Sequence, residues 1–124
     1  MNLKKKLHLL SLFSLFGYPL LAEQIPYVYT NGGPTNMTLS QCVSRAKQEM
    51  RLADFFRGLE IIYDSNNSHS ATIFSRHSYK PVSITYRCMT DINTRTFGIA
   101  SLDNNEAWES YLNFHATAQN LNSK

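Results

Sequence analysis

Apolar residues recur every three or four positions at Leu39, Cys42, Val43, Ala46, Met50 and Ala53. Ser44, Arg45, Lys47, Gln48, Glu49 and Arg51 fill most of the gaps. That spacing draws one apolar stripe along a helix. Thr38 stands before it as an N-cap, and Gln41, three residues on, completes a capping box. The helix is therefore predicted to begin there, to run to about Ala53 and to turn Cys42 toward the core.

The period then shortens to two. From Leu59 to Tyr63, from Ser70 to Arg76 and from Val82 to Met89, β-branched and aromatic residues dominate, separated by Asn66-Asn67-Ser68 and by Tyr79-Lys80-Pro81. In the third run Val82, Ile84, Tyr86 and Cys88 alternate with Ser83, Thr85, Arg87 and Met89, as in a sheet covered on one face and wet on the other. A shorter strand from Thr96 to Leu102 follows a turn near Asp91-Ile92-Asn93-Thr94. Asp103 and Glu106 then open a second helix whose stripe is Trp108, Tyr111, Leu112, His115 and Ala118 or Gln119, with Phe114 on a flank and an end near Asn120.

The predicted order is α-β-β-β-β-α. It gives an α+β, two-layer domain: a four-stranded, mainly antiparallel meander with both helices on one face. Residues 37–124 form this single domain. Residues 23–36 read as an extended N-terminal arm, because Ile25-Pro26 and Asn31-Gly32-Gly33-Pro34 supply breakers, although Tyr27, Val28 and Tyr29 suit packing on the domain or an added edge strand.

Residues 1–22 read as a signal peptide: Lys4, Lys5 and Lys6, an apolar run from Leu7 to Phe16, and the small Ala22 before the expected cut. The run is too short to span a bilayer, so the expected location is periplasmic or secreted, with no stable membrane anchor after cleavage. This leader also accounts for the net charge of +3, since its three lysines are the whole excess over the acidic residues. Without it the chain is close to neutral. Nucleic-acid binding, which rests on clustered Lys and Arg, is not expected.

An exported chain with two cysteines, Cys42 and Cys88, has one possible disulfide. Both fall on predicted inward faces, one on the helix and one on a strand. The bridge closes a loop of about 45 residues, for which the chain-entropy model gives on the order of 4 kcal/mol.

Motifs for chemistry are sparse. There is no Cys-x-x-Cys, nucleophile elbow, phosphate-binding glycine loop or His-Glu-x-x-His, so no metal or other cofactor is expected. His69 reads as a turn residue, His77 as a surface or strand-end residue and His115 as a half-buried helix residue. An enzyme, if there were one, would use His77, Glu60 and Arg87 as a sheet-borne acid–base set, the residue types that small secreted ribonucleases place on a sheet. The open sheet face offers a different surface: with Phe74 and Arg76 outward, they join Thr85 and Arg87, and aromatics and arginines are enriched in interface hot spots. Hairpin register decides this, because a one-residue slip exchanges Ile73 for Phe74. Asn36-Met37-Thr38 and Asn66-Asn67-Ser68 match the glycosylation sequon, which matters only in a eukaryotic secretory pathway.

The run Met37-Thr38-Leu39-Ser40-Gln41-Cys42, Ala46 on the same stripe, and Thr85-Tyr86-Arg87-Cys88 resemble small exported bacterial proteins of uncharacterised function that carry one cysteine on a capped helix and the other on a sheet. The likeness covers most of residues 37–120. It implies a periplasmic setting and supplies no catalytic residues. The expected function is binding of another protein, as by an envelope immunity or inhibitor protein. The alternatives are a small secreted hydrolase or nuclease and a periplasmic small-molecule binder with a pocket between sheet and helices.

Overall fold

A computed structural model describes residues 25–123, so the leader predicted over residues 1–22 lies outside the described residues. In chain order the elements are β1 (Tyr27–Pro34), α1 (Leu39–Leu52), β2 (Phe55–Tyr63), β3 (Ser70–His77), β4 (Ser83–Met89), a single 3₁₀ turn at Thr90–Ile92, β5 (Thr94–Ser101) and α2 (Asn104–Asn122). The architecture is α+β with a five-stranded antiparallel sheet in the order β1-β5-β4-β3-β2.

The predicted meander is β2 to β5, and the fifth strand comes from the arm. Tyr27 to Pro34 pairs along its whole length with β5, from Tyr27 opposite Ser101 to Pro34 opposite Thr94. The element order is thus β-α-β-β-β-β-α rather than α-β-β-β-β-α. The breaker reading failed because an edge strand has one unpaired side, where a proline lacking an N–H is tolerated. Gly32 is itself a packing residue: a Cβ there would meet Thr96 Cγ2 at 2.8 Å and the Arg95 carbonyl at 3.0 Å.

α1 starts as its sequence predicts. Thr38 Oγ1 accepts from the Gln41 backbone N–H, and Gln41 Oε1 accepts from the Thr38 N–H, which satisfies two otherwise orphaned donors. Asp54, in the left-handed conformation at φ 66°, then turns the chain straight into β2. That strand begins at Phe55, four residues before the predicted Leu59, and bulges between Arg57 and Glu60 around Gly58, whose φ is 61°. The bulge breaks strict alternation, which is why the first half of the strand is hard to see in the sequence.

Both helices lie on one face of the sheet, α1 over β2, β3 and β4 and α2 over β1 and β5. Between them sit Val43, Ala46, Met50, Phe55, Ile73, Ile84, Tyr86, Phe97, Ile99 and Phe114. Cys42 and Cys88 meet in this layer as a disulfide, Cα to Cα 6.1 Å. Asp103 caps α2 by accepting from the Glu106 N–H. The buried face of α2 is Ala107, Ser110 and Phe114, so its stripe is rotated from the predicted one. Trp108 and Leu112 are instead largely exposed, and Phe114, expected on a flank, is fully buried. Tyr29 of β1 packs against this flank of α2, its ring tilted against Trp108 and Tyr111 and its hydroxyl donating to Asn104 Oδ1, so the aromatic side of the helix lies over the added strand. Among the described residues no helix is long and apolar enough to cross a membrane.

Candidate functional site

Register settles which sheet residues face outward. Phe74 pairs with Thr85 and Glu60, Thr72 with Arg87 and Ile62, and Arg76 with Ser83 and Arg57. Directly paired residues share a face, and so do residues two apart along a strand. Phe74, Arg76, Thr85 and Arg87 therefore stand together on the uncovered face, all exposed. Ile73 points the other way and is fully buried.

The same pairing separates the acid–base set. Glu60 and Arg87 are on the outer face, but His77 pairs with Phe55 on the inner one. His77 is buried rather than a surface residue, a correction to its predicted place. Its ring meets Phe55 and Tyr79 edge-on, and its Nδ1 accepts from the backbone N–H groups of Tyr79 and Lys80 at 3.3 and 3.2 Å. It serves as a cap for the β3–β4 turn, and burial together with the nearby Lys80 charge lowers its pKa from the usual 6.5. The sheet does not bring His77, Glu60 and Arg87 together. His69 lies exposed in the β2–β3 turn, and His115 is half-buried on α2.

The outer face continues onto the free edge of the sheet. Among the described residues β2 has no neighbour beyond it, and Phe56, Leu59, Ile62 and Tyr63 along it are 55%, 42%, 49% and 58% exposed, Ile62 on the outer face opposite Thr72 and Tyr63 on the helix side opposite Ala71. Phe74, on the adjacent strand, is 37% exposed. Arg57, Arg76 and Arg87 share the outer face with Phe74 and Ile62, and none of the three makes an ion pair among the described residues. Arg57 and Arg76 are cross-strand neighbours, a like-charged pair that destabilises a sheet when nothing lies between. They line a depression of about 460 Å³ with Lys80, Ser83 and Pro26. Gly58 makes room there, since a Cβ would sit 3.3 Å from Nη2 of Arg76.

A second site lies on the inner side, and the sequence reading missed it. Glu49 was placed among the solvent-facing residues of α1, yet its side chain is fully buried. Its Oε1 accepts from Nη1 of Arg95 at 3.0 Å, and the same nitrogen donates to the Tyr86 hydroxyl at 2.9 Å. Oε2 is buried with no hydrogen-bond partner among the described residues. Burial raises the Glu49 pKa from its usual 4.5 against the opposing pull of Arg95, and raises that of Tyr86 as well. These groups border a cleft of about 400 Å³ that opens between β1, β5 and the C-terminal half of α2, with Asn31, Phe97, His115 and Gln119 along its walls. Asn31 Nδ2 donates to the Tyr111 hydroxyl at 3.2 Å and lies 3.1 Å from His115 Nδ1.

Two signals in the sequence point to this network. Glu49 is seven residues after Cys42 and three after Ala46, on the apolar stripe itself, and Arg95 is two before Phe97, with inward parity on β5. Among the described residues no group of three His, Cys, Asp or Glu side chains is placed to hold a metal ion. No protein-family model, curated protein or solved structure matches the chain, so its function has to be argued from these two surfaces alone.

Proposed function

We propose that the protein is an exported, non-catalytic binding protein that docks another protein on the outer sheet face and the β2 edge, in the manner of an envelope inhibitor or immunity protein. The observation that carries this reading is the β2 edge, with four large apolar side chains around half exposed on a strand whose outer side has no neighbour among the described residues. Natural sheets normally protect such an edge, because its free N–H and C=O groups and apolar side chains invite another chain. A partner strand added to β2 gains main-chain hydrogen bonds and covers apolar side chains on both faces of that edge.

Charge supports a foreign partner over a second copy. The outer face carries Arg57, Arg76 and Arg87 against Glu60, so an acidic surface complements it better than a second copy of the same net-positive face does. Export is supported by the leader pattern and by the Cys42–Cys88 bridge, a bond that persists in oxidising compartments.

The test is capture from envelope extract with the oxidised protein, run beside R76E/R87E and Ile62→Asp. The reading expects a stoichiometric partner that the wild type retains, that both variants lose, and that salt weakens. Variants that melt like the wild type yet retain the same partner would remove this surface from the function.

A further inference from the structure

The cleft beside Glu49 holds a polar arrangement that is incomplete by itself. One carboxylate oxygen is satisfied by Arg95, and the other is buried with no hydrogen bond among the described residues, which costs stability unless something supplies one. On the far side of Arg95, two guanidinium groups converge on a single neutral acceptor. Nη2 of Arg95 and Nη1 of Arg45 both donate to Oδ1 of Asn122, at 2.9 and 3.2 Å. A carboxylate fits such a fork better than an amide oxygen, because it offers two oxygens and makes charge-assisted hydrogen bonds. Arg45 and Arg95 also outnumber Glu49 by one charge. Asn122 is exposed at the last residue of α2, so its side chain is free to give way.

We infer that this cleft binds a small molecule bearing a carboxylate and a neighbouring N–H or O–H donor, the chemistry of an amino acid or a hydroxy acid. The ligand carboxylate takes the place of the Asn122 amide oxygen between Arg45 and Arg95, and the ligand donor completes Oε2 of Glu49. The remaining substituent lies against Phe97, Thr96 and Ala118, in a cleft of about 400 Å³ that has room for more than a single small amino acid. A concave wall that sets a few convergent polar groups, here Glu49, Arg95 and Asn31, beside aromatic and aliphatic side chains is the usual make-up of a specific small-ligand site. The inference is independent of the docking surface, since the cleft opens on the helix side of the sheet and β2 is at its far edge.

The experiment is a nuclear magnetic resonance titration of the oxidised protein with L-alanine, L-phenylalanine and L-lactate at millimolar concentration. Acetate and methylammonium serve as probes carrying one group each. At least one two-group probe is expected to give saturable shifts of the Gly32, Gly33 and Gln119 backbone amides, with affinity about tenfold or more above either one-group probe. Glu49→Gln should weaken binding by about tenfold or more, the cost of one charge-assisted hydrogen bond. Asn122→Ala should bind as tightly as the wild type or tighter, because it empties the fork without touching the ion pair. Absence of a saturable shift with any probe, equal affinity for the acetate control, or weaker binding by Asn122→Ala would each overturn the inference.

Discussion

Glu49 and Arg95 meet inside the domain, carboxylate to guanidinium at 3.0 Å, although one lies on the first helix and the other on the last strand. The pair fastens the two layers together at a point where the rest of the core is apolar. Burying two charges is costly, and their mutual attraction offsets that cost only while both are present. Tyr86 and Asn122 accept further hydrogen bonds from Arg95.

Removing one partner should therefore hurt more than removing both. Arg95→Ala leaves Glu49 buried and uncompensated and is expected to cost about 3–5 kcal/mol. The double variant Glu49→Leu with Arg95→Met should recover most of that loss. Urea denaturation of the single and double variants measures both, and a double variant no more stable than Arg95→Ala would show that the pair does more than neutralise itself.

Stability should also depend on pH through two groups of opposite sign. The Glu49 pKa is raised on folding, so the folded state holds a proton that the unfolded chain releases above 4.5. Its contribution is present at acidic pH and is lost as pH rises from 4.5 through the raised value. The His77 pKa is lowered on folding, so the unfolded chain takes up a proton first as pH falls below 6.5, and stability is lost on acidification through that window. Melting curves between about pH 4 and pH 8 should show Glu49→Gln flattening the lower part of the profile and His77→Gln the upper part.

The disulfide should contribute through the unfolded chain. Its cysteines are 46 residues apart, and opening a loop of that length frees entropy worth about 4 kcal/mol. For a domain of this size the Tm of Cys42→Ser or Cys88→Ser should drop by about 15–30 °C. A drop of only a few degrees, with the fold intact, would mean that the reduced chain already keeps helix and sheet together.

Two adjacent glycines on β1 should respond differently to the same change. Gly32→Ala pushes a methyl group into Thr96 Cγ2 and the Arg95 carbonyl and is expected to cost about 1–3 kcal/mol, loosening β1 from β5. A Cβ on Gly33 meets nothing within 4 Å, so Gly33→Ala should be close to neutral. Amide hydrogen exchange along Tyr27 to Pro34 distinguishes the two, and equal protection in both variants would contradict the tight packing at Gly32.

What the sequence determined by itself is whatever rests on neighbours in the chain. The capping box at Thr38 and Gln41, the stripe carrying Cys42, the alternation in β4 and the cap at Asp103 all depend on spacings of two to four residues, and each stands where its pattern puts it. The cysteine pairing followed from there being two. Tertiary structure decided the rest. The arm became a strand because β5 offered a free edge, and Asn-Gly-Gly-Pro is poor strand material only when nothing lies beside it. Hairpin register turned Phe74 outward and His77 inward, a choice of one residue that local propensity does not make. Glu49 reads as solvent-facing until Arg95, far along the chain, makes its burial affordable. Each candidate surface of this protein is in that second class, because binding needs side chains from distant strands to meet, and only the folded sheet supplies the distances.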